Sequence, residues 1–137
     1  MRLLLLSVKP VKNFPDGSIV SEEIVVFSTA TAKEASALAT TLVEEALVAC
    51  VNIMPVTSVY KWKNEIVSDD EKLLVMKTTR DNYARLEARI KELHSYDVPE
   101  VIALKIELGS NDYLSWLRDC VSTSKNPAES SDNTGKK

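Results

Sequence analysis

The sequence predicts one α+β domain of the ferredoxin-like, split βαβ type. Apolar runs and amphipathic segments alternate in the order strand, helix, strand, strand, helix, strand. Right-handed crossovers then place the strands in the order 4-1-3-2. The chain has 137 residues, of which 45% are hydrophobic, so it has room for one such domain. We expect the domain at 23–121, an N-terminal arm at 1–22 and a disordered tail at 122–137.

The first strand and helix follow from the residues after position 22. Ile24 to Phe27 form a continuous β-branched and aromatic run, which is typical of a strand buried on both faces. Thr31 and Glu34 have the spacing of a capping box, and apolar residues recur behind them at helical spacing. The pattern predicts a central strand and then a helix from about 32 to 48.

A long hairpin is predicted from two β-rich runs joined by a polar turn, Cys50 to Trp62 and Ile66 to Thr78. Pro55 cannot donate to a ladder, so the first run should be an edge strand with a break in its register. The apolar run Leu73 to Met76 should lie inside the sheet.

The sequence pattern in the last third of the domain predicts a helix, a strand and a short C-terminal helix. Apolar residues share one helical face from about Thr79 onward, and His94 falls in the last turn. The residues from Val101 to Leu108 alternate as in a half-buried strand, and Tyr113 to Leu117 fit the closing helix. The central strands are apolar on both faces and the edge hairpin is long, so the sequence predicts self-association.

Composition excludes several functional classes. Seventeen basic against twenty acidic residues give a net charge of −3, which disfavours nucleic-acid binding. Three glycines form no phosphate-binding loop, and two cysteines, Cys50 and Cys120, form no disulfide framework or zinc motif. No stretch is long and apolar enough to span a membrane, and the Leu-rich start lacks a signal cleavage site. We therefore expect a cytoplasmic protein without nucleic-acid or membrane partners.

Five short motifs carry a resemblance to a known family. They are Ala49-Cys50-Val51-Asn52-Ile53, Val59-Tyr60-Lys61-Trp62, Lys77-Thr78, His94-x-Tyr96-x-x-Pro99-Glu100 and Tyr113-Leu114-x-Trp116-Leu117. In order and spacing, over about Glu23 to Val121, they resemble the CutA divalent-cation tolerance proteins. The resemblance implies a ferredoxin-like protomer, a homotrimer built through the hairpin strands, and a role in cation tolerance rather than an enzymatic activity.

The family resemblance also implies a ligand cleft between protomers. Its residues here would be Tyr60, Trp62, Lys77, Tyr96, Glu100 and Trp116. Tyr60 and Trp62 fit equally well as aromatic anchors of a subunit interface. Lys77 on a central strand needs a counterion, for which Glu100 is our expected partner.

Any metal site, for a copper or other divalent ion, should be weak and shared between chains. One chain offers only His94 and the cysteines as soft donors, so His94 with Cys50 are the candidate ligands. Some family members carry a thiol at the position of Ser28 and a second imidazole at that of Leu93, and this sequence departs from that pattern. An acidic alternative for a hard cation is Asp69-Asp70-Glu71, although a solvated turn explains these residues as well.

Two other functions compete with cation binding. A regulatory trimer that resembles the PII signalling proteins would bind a small metabolite between its subunits. An enzyme would use Lys77, Tyr96 and Glu100 as acid and base groups in a cleft. No nucleophile and base pair in the sequence supports the enzyme.

Overall fold

The computed structural model describes residues 22–122, which form a four-stranded sheet and three helices. In chain order the elements are β1 (Glu23–Ala30), α1 (Ala35–Glu44), β2 (Cys50–Trp62), β3 (Glu65–Thr79), a 3-10 turn (Arg80–Asn82), α2 (Tyr83–Leu93), β4 (Ile102–Lys105) and α3 (Asn111–Val121). Within the described residues, no helix has the length and apolar character needed to cross a bilayer. The predicted arm and tail lie outside the described residues, apart from Glu22 and Ser122.

The sheet has the order β2-β3-β1-β4, and every neighbouring pair of strands is antiparallel. This is the predicted ferredoxin-like arrangement, with β1 and β3 in the centre and the hairpin strand β2 at the edge. β1 pairs with β3 only as far as Ala30 opposite Lys72. The hairpin continues from Val56 opposite Glu71 to Trp62 opposite Glu65. This second half of the hairpin is therefore a two-stranded ribbon that extends beyond the rest of the sheet.

The predicted register break at Pro55 is wrong. The pairing of β2 with β3 is continuous, and Pro55 lies opposite Lys72 without an extra residue in either strand. An edge strand bonds its neighbour through alternate residues only, so a proline at an outward-facing position removes no ladder hydrogen bond. The edge position alone is enough to accommodate this residue.

The core lies between one face of the sheet and the helices α1 and α2. Ile24 and Val26 of β1 lie beside Leu74 and Met76 of β3 on this face of the sheet, with Val26 directly opposite Met76. The buried helical residues that complete it are Ala35, Leu38, Ala39, Leu42, Leu86 and Ile90. The helical spacing of these side chains explains why the two segments form helices and which side each buries.

Helix α1 begins at Ala35 rather than at about 32, and it ends before the predicted 48 because the chain turns at Ala46. Ala46 has a φ of 57°, in the left-handed region. The Leu47 N–H donates to the Leu42 carbonyl at 3.1 Å and the Ala46 N–H to the Val43 carbonyl at 3.0 Å. This is the Schellman pattern, with the buried Leu47 and Leu42 in the usual hydrophobic positions. The apolar periodicity continues to Val48, but the backbone hydrogen bonds end the helix at Glu44.

The second face of the sheet is apolar and lacks a covering layer in the described chain. Strand alternation and register place on it Val25, Phe27, Met54, Leu73, Val75, Ile102 and Leu104. Ile102 is 51% exposed and Leu104 is 56% exposed. The strand predicted over 101–108 is present but shorter, and its half-buried character is wrong, because β4 has four residues and all are exposed. We call this surface the second face.

Helix α3 covers only one end of the second face. Leu117 and Val121 pack with Ala49, and Trp116 and Cys120 lie against that cluster. The Asn82 side-chain amide donates to the Val121 carbonyl at 3.2 Å. The guanidinium of Arg118 pairs with the buried carboxylate of Glu23 at the start of β1. The middle of the sheet remains uncovered by this helix.

We expect Ala46→Gly to stabilise the protein by about 1 kcal/mol. A left-handed backbone costs an L-residue roughly 1–2 kcal/mol, and glycine returns only part of this through its greater freedom when unfolded. The matched control is Ala88→Gly at an exposed position inside α2, which should destabilise by about 1 kcal/mol. Urea unfolding followed by circular dichroism at one protein concentration measures both. Shifts of the same sign would contradict the assigned backbone at Ala46.

Candidate functional site

A cleft of about 760 Å³ opens between the hairpin ribbon and the segment that follows α2. The hairpin contributes Ser58, Val59, Tyr60, Trp62 and Glu71, and the other wall contributes Ser95, Tyr96, Asp97, Val98 and Glu100, with Thr29 at the base. We call it the hairpin cleft. Four of the six predicted ligand-cleft residues therefore lie in one cavity: Tyr60, Trp62, Tyr96 and Glu100.

Two tyrosine hydroxyls bind carboxylates around the hairpin cleft. The Tyr96 hydroxyl donates to Glu71 Oε1 at 2.8 Å and joins the two walls. The Tyr60 hydroxyl donates to Asp69 on the neighbouring strand. Burial, and then the hydrogen bond to the negative Glu71, raise the pKa of Tyr96, and the hydrogen bond to Asp69 raises that of Tyr60. Both hydroxyls therefore stay protonated as donors at neutral pH.

His94 fixes the backbone from which Tyr96 projects. Its Nδ1 accepts from the Tyr96 N–H at 3.0 Å, so the neutral ring carries its proton on Nε2, which lies 2.7 Å from the Thr29 carbonyl oxygen. The rings of His94 and Tyr96 lie 4.6 Å apart between centroids. The side chain of His94 is fully buried. In this conformation both ring nitrogens are used in hydrogen bonds within the protein.

Glu34 provides a second anchor for the same segment. Its carboxylate accepts from the Ser95 N–H at 3.1 Å and from the Ser95 hydroxyl at 2.6 Å. The Thr31 hydroxyl donates to it at 2.7 Å, while the Glu34 N–H returns a 3.3 Å bond to Thr31, as the capping-box spacing predicts. Burial raises the pKa of Glu34, but the bonds from Ser95 and Thr31 outweigh burial and the net pKa is lowered.

The other two predicted cleft residues lie at the opposite end of the sheet. Lys77 is opposite Cys50, and its ammonium bonds to the Asn52 side-chain carbonyl and, at 3.2 Å, to the Val75 carbonyl oxygen. The predicted pairing of Lys77 with Glu100 is therefore wrong for a single chain. Trp116 packs on the cluster around Ala49 and stacks near Tyr113, with ring centroids 5.5 Å apart.

Cys50 and His94, the predicted metal ligands, are also separated. Cys50 is aligned through Lys77 with Val25, whereas His94 binds the carbonyl of Thr29, four residues further along β1. A strand advances about 3.3 Å per residue, so the backbone positions with which the two donors are aligned lie ~13 Å apart along β1. Residues 22–122 contain no group of three or more His, Cys, Asp or Glu placed to hold a metal ion.

The sequence interpretation understated the part played by the acidic run Asp69 to Glu71. These residues belong to β3 rather than to a solvated turn, and the turn itself is Lys63 and Asn64, both with positive φ. Glu71 is only 7% exposed and reaches the hairpin cleft. Glu71 lies two residues before Leu73 on the same strand, so strand alternation places it on the second face. This alternation is the feature of the sequence that could have located Glu71 at the cleft. Nothing in the sequence marked Ser95 or its bond to Glu34.

The fold and the site define a ferredoxin-like domain with an acidic, aromatic-walled cleft at one end of its sheet. Residues 23–120 match the family described as CutA1 divalent ion tolerance protein. A divalent-cation tolerance protein CutA of Thermus thermophilus is 48% identical over 99 residues, which cover 72% of this chain and 96% of that protein. The chain therefore belongs to the CutA1 family, as its five motifs predict.

A plant relative and two solved structures agree with this assignment. A chloroplastic CutA of Arabidopsis thaliana is 47% identical over 98 residues, which cover 70% of this chain but about half, 54%, of that protein. The solved Cut A1 structure from Thermus thermophilus has a TM-score of 0.71 at 47% identity and covers 73% of this chain and 99% of its own. A structure described as the PII-like protein CutA from Nostoc sp. PCC 7120 in apo form has a TM-score of 0.70 at 33% identity, covering 72% and 97%.

The lowered pKa of Glu34 predicts a pH-dependent contribution to stability. Because the pKa in the folded protein lies below the usual value of 4.5, this contribution is present above pH 4.5 and is lost as pH falls through the folded pKa. Glu34→Gln should therefore be less stable than the parent at pH 7, and the difference should shrink toward zero as the pH falls below the folded pKa of Glu34. Chemical unfolding across this range tests it, with Glu44→Gln at an exposed site of α1 as control. A Glu34→Gln deficit that is constant with pH would contradict the assigned ionisation.

Proposed function

We propose that this protein is a homotrimeric divalent-cation tolerance protein that acts in the cytoplasm without enzymatic activity. Membership of the CutA1 family supports the tolerance function. The relatives with the same domain are described as tolerance proteins, and the hairpin cleft contains no nucleophile and base pair of the hydrolase type. The role is therefore the binding of ions or ligands rather than their chemical conversion.

The observation that carries the proposal is the uncovered second face. An apolar sheet face in water is unfavourable by about 25 cal/mol for each Å² of apolar surface that could be buried. The hairpin ribbon adds Val59 at 67% and Ile66 at 74% exposure, and an isolated two-stranded ribbon has little stability of its own. Association of three copies through the second faces and the ribbons would bury the apolar side chains of both surfaces. Tyr60 and Trp62 lie at the rim of this surface, where they border the hairpin cleft.

Metal binding then depends on donors from more than one copy. Within one described chain Cys50 and His94 lie too far apart to share an ion, so a site that uses both needs donors from more than one copy. We propose weak binding of a divalent or copper ion, with Cys50 and His94 as the donors that the assembly would combine. Coordination at His94 requires the ring to give up its bond to either Tyr96 or Thr29.

A PII-like regulatory trimer is the second candidate. The volume of the hairpin cleft lies within the range of small-molecule sites, and a structure described as PII-like shares this fold. The carboxylates that line the cleft would repel the phosphates of a nucleotide. Titration with ATP separates the two functions, since a PII-type site binds it and an acidic cleft does not.

We expect the parent protein to sediment at micromolar concentration with three times the mass of one chain. Ile102→Lys, on the second face, should dissociate it, because burial of an unpaired ammonium in each interface costs roughly 3 kcal/mol or more. Val43→Lys on α1 is the matched control, since Val43 is 43% exposed but lies outside the second face. A monomeric parent, or a trimer that tolerates Ile102→Lys, would refute the proposed assembly.

Calorimetric titration with copper and zinc ions tests the metal proposal. We expect weaker binding at pH 5.5 than at pH 7.5, because thiol and imidazole ligate only when deprotonated. Cys50→Ser and His94→Ala should each lower the affinity about tenfold or more while the sedimentation mass stays unchanged. If both variants bind metal as tightly as the parent, these residues are not the ligands.

A further inference from the structure

The hairpin cleft is charged as a site for a cation. Three carboxylates line it, from Glu71, Asp97 and Glu100, and the described lining residues include no lysine, arginine or histidine. Asp69, bound to the Tyr60 hydroxyl, lies next to it on β3. An organic anion would meet only like charge there.

Glu71 places one of these carboxylates at a buried position in the cleft. It is 7% exposed, and its hydrogen bond at 2.8 Å comes from the neutral hydroxyl of Tyr96. No cationic side chain of residues 22–122 forms an ion pair with it. A carboxylate this deeply buried is costly to leave without a positive partner. The cleft therefore presents a nearly buried carboxylate whose hydrogen-bond partner within the described residues is a neutral hydroxyl.

Aromatic rings from both walls line the cleft beside these carboxylates. Tyr60 is 40% exposed and Trp62 is 46% exposed, so both rings are accessible from the cleft, and Tyr96 lines it as well. Aromatic faces attract cations, tryptophan most strongly, and this attraction is greatest for weakly hydrated organic ammonium ions. Carboxylates together with aromatic faces are a typical surface for binding alkylammonium groups.

A bare metal ion fits the same cavity poorly. Hard divalent ions take six to eight oxygen ligands, and the described carboxylates include no group of three in position to hold one. The volume of about 760 Å³ is instead that of a site for a small organic molecule. A flexible ligand with several ammonium groups could reach Glu71, Asp97 and Glu100 together.

We propose that the hairpin cleft binds an organic polyammonium ion, with Glu71 as the central counter-charge and Trp62 and Tyr60 as the aromatic wall. The inference deepens the proposed function, because it names the class of ligand taken by the cleft of the cation tolerance protein. It does not depend on Cys50 or His94 as metal ligands.

Calorimetric titration of the full chain with spermidine tests the inference, with triethylene glycol as a neutral compound of similar length. We expect saturable binding of spermidine and none of the glycol. Glu71→Gln keeps an acceptor for the Tyr96 hydroxyl and should weaken spermidine about tenfold or more. Trp62→Leu should weaken it about fivefold. The matched control, Glu107→Gln, removes an exposed carboxylate outside the cleft and should leave binding within about twofold.

The outcomes separate this inference from the proposed function. Sedimentation and copper titration are run on the same samples. A trimer that binds copper but not spermidine overturns the polyammonium site and leaves the proposed function standing. Equal weakening by Glu71→Gln and Glu107→Gln also overturns it, because the binding would then be a general effect of net charge. Spermidine binding by a monomeric protein would support the hairpin cleft as the binding site and would overturn the proposed trimer.

Discussion

The sheet of this protein is apolar on both faces, while the described chain provides a full helical layer for only one of them. α1 and α2 bury the face that carries Ile24, Val26, Leu74 and Met76. The second face is covered at its ends, by α3 on one side and by the segment after α2 on the other. This imbalance follows from the two-helix, four-strand order, and the long hairpin increases it. The remaining features of the structure depend on how the second face is covered.

The hairpin cleft follows from the same imbalance. The ribbon extends beyond β1, so Tyr60, Trp62 and Glu71 project where the sheet has no helix beneath them. The segment with Ser95 and Tyr96 closes over them and is held to the body of the domain by His94 and Glu34. A side chain on the hairpin and one after α2, 25 residues later, thus meet in one hydrogen bond between Glu71 and Tyr96. The hydrogen-bonded anchors give the cleft its shape, and the carboxylates give it its charge.

Sequence patterns predicted the strand order, the pairing of the hairpin and the family, because these depend on periodicity and on motifs of several residues. They overestimated α1, since the end of that helix is decided by the left-handed backbone at Ala46 rather than by apolar spacing. They overestimated the length and the burial of β4. Alternation of apolar and polar residues shows which side chains could face a core, but it does not show whether a core is present on that side. They predicted a pairing of Lys77 with Glu100, although these residues lie at opposite ends of the sheet in a single chain. Long-range polar contacts such as Glu34 with Ser95 leave no periodic signal.

The two groups of predicted cleft residues, one around Tyr96 and one around Lys77, occupy opposite ends of the second face in a single chain. Family resemblance places them in one cleft, which a single protomer does not form. The proposed assembly through the second face would bring surfaces of different copies together and give these two groups a way to meet. The proposed metal donors Cys50 and His94 are divided between the same two ends. Burial of the second face is therefore the central claim on which the proposed assembly and its metal site depend.

Hydroxyl-radical footprinting of Met54 in the full chain tests this claim most directly. Met54 is on the second face and is 43% exposed in the single chain, whereas Met76 in the core is fully buried. Burial by neighbouring copies predicts that Met54 is oxidised at micromolar concentration almost as slowly as Met76 and that dilution to the monomer raises its rate. Rapid oxidation of Met54 that is independent of protein concentration would show that the second face is open to water, and would contradict the account.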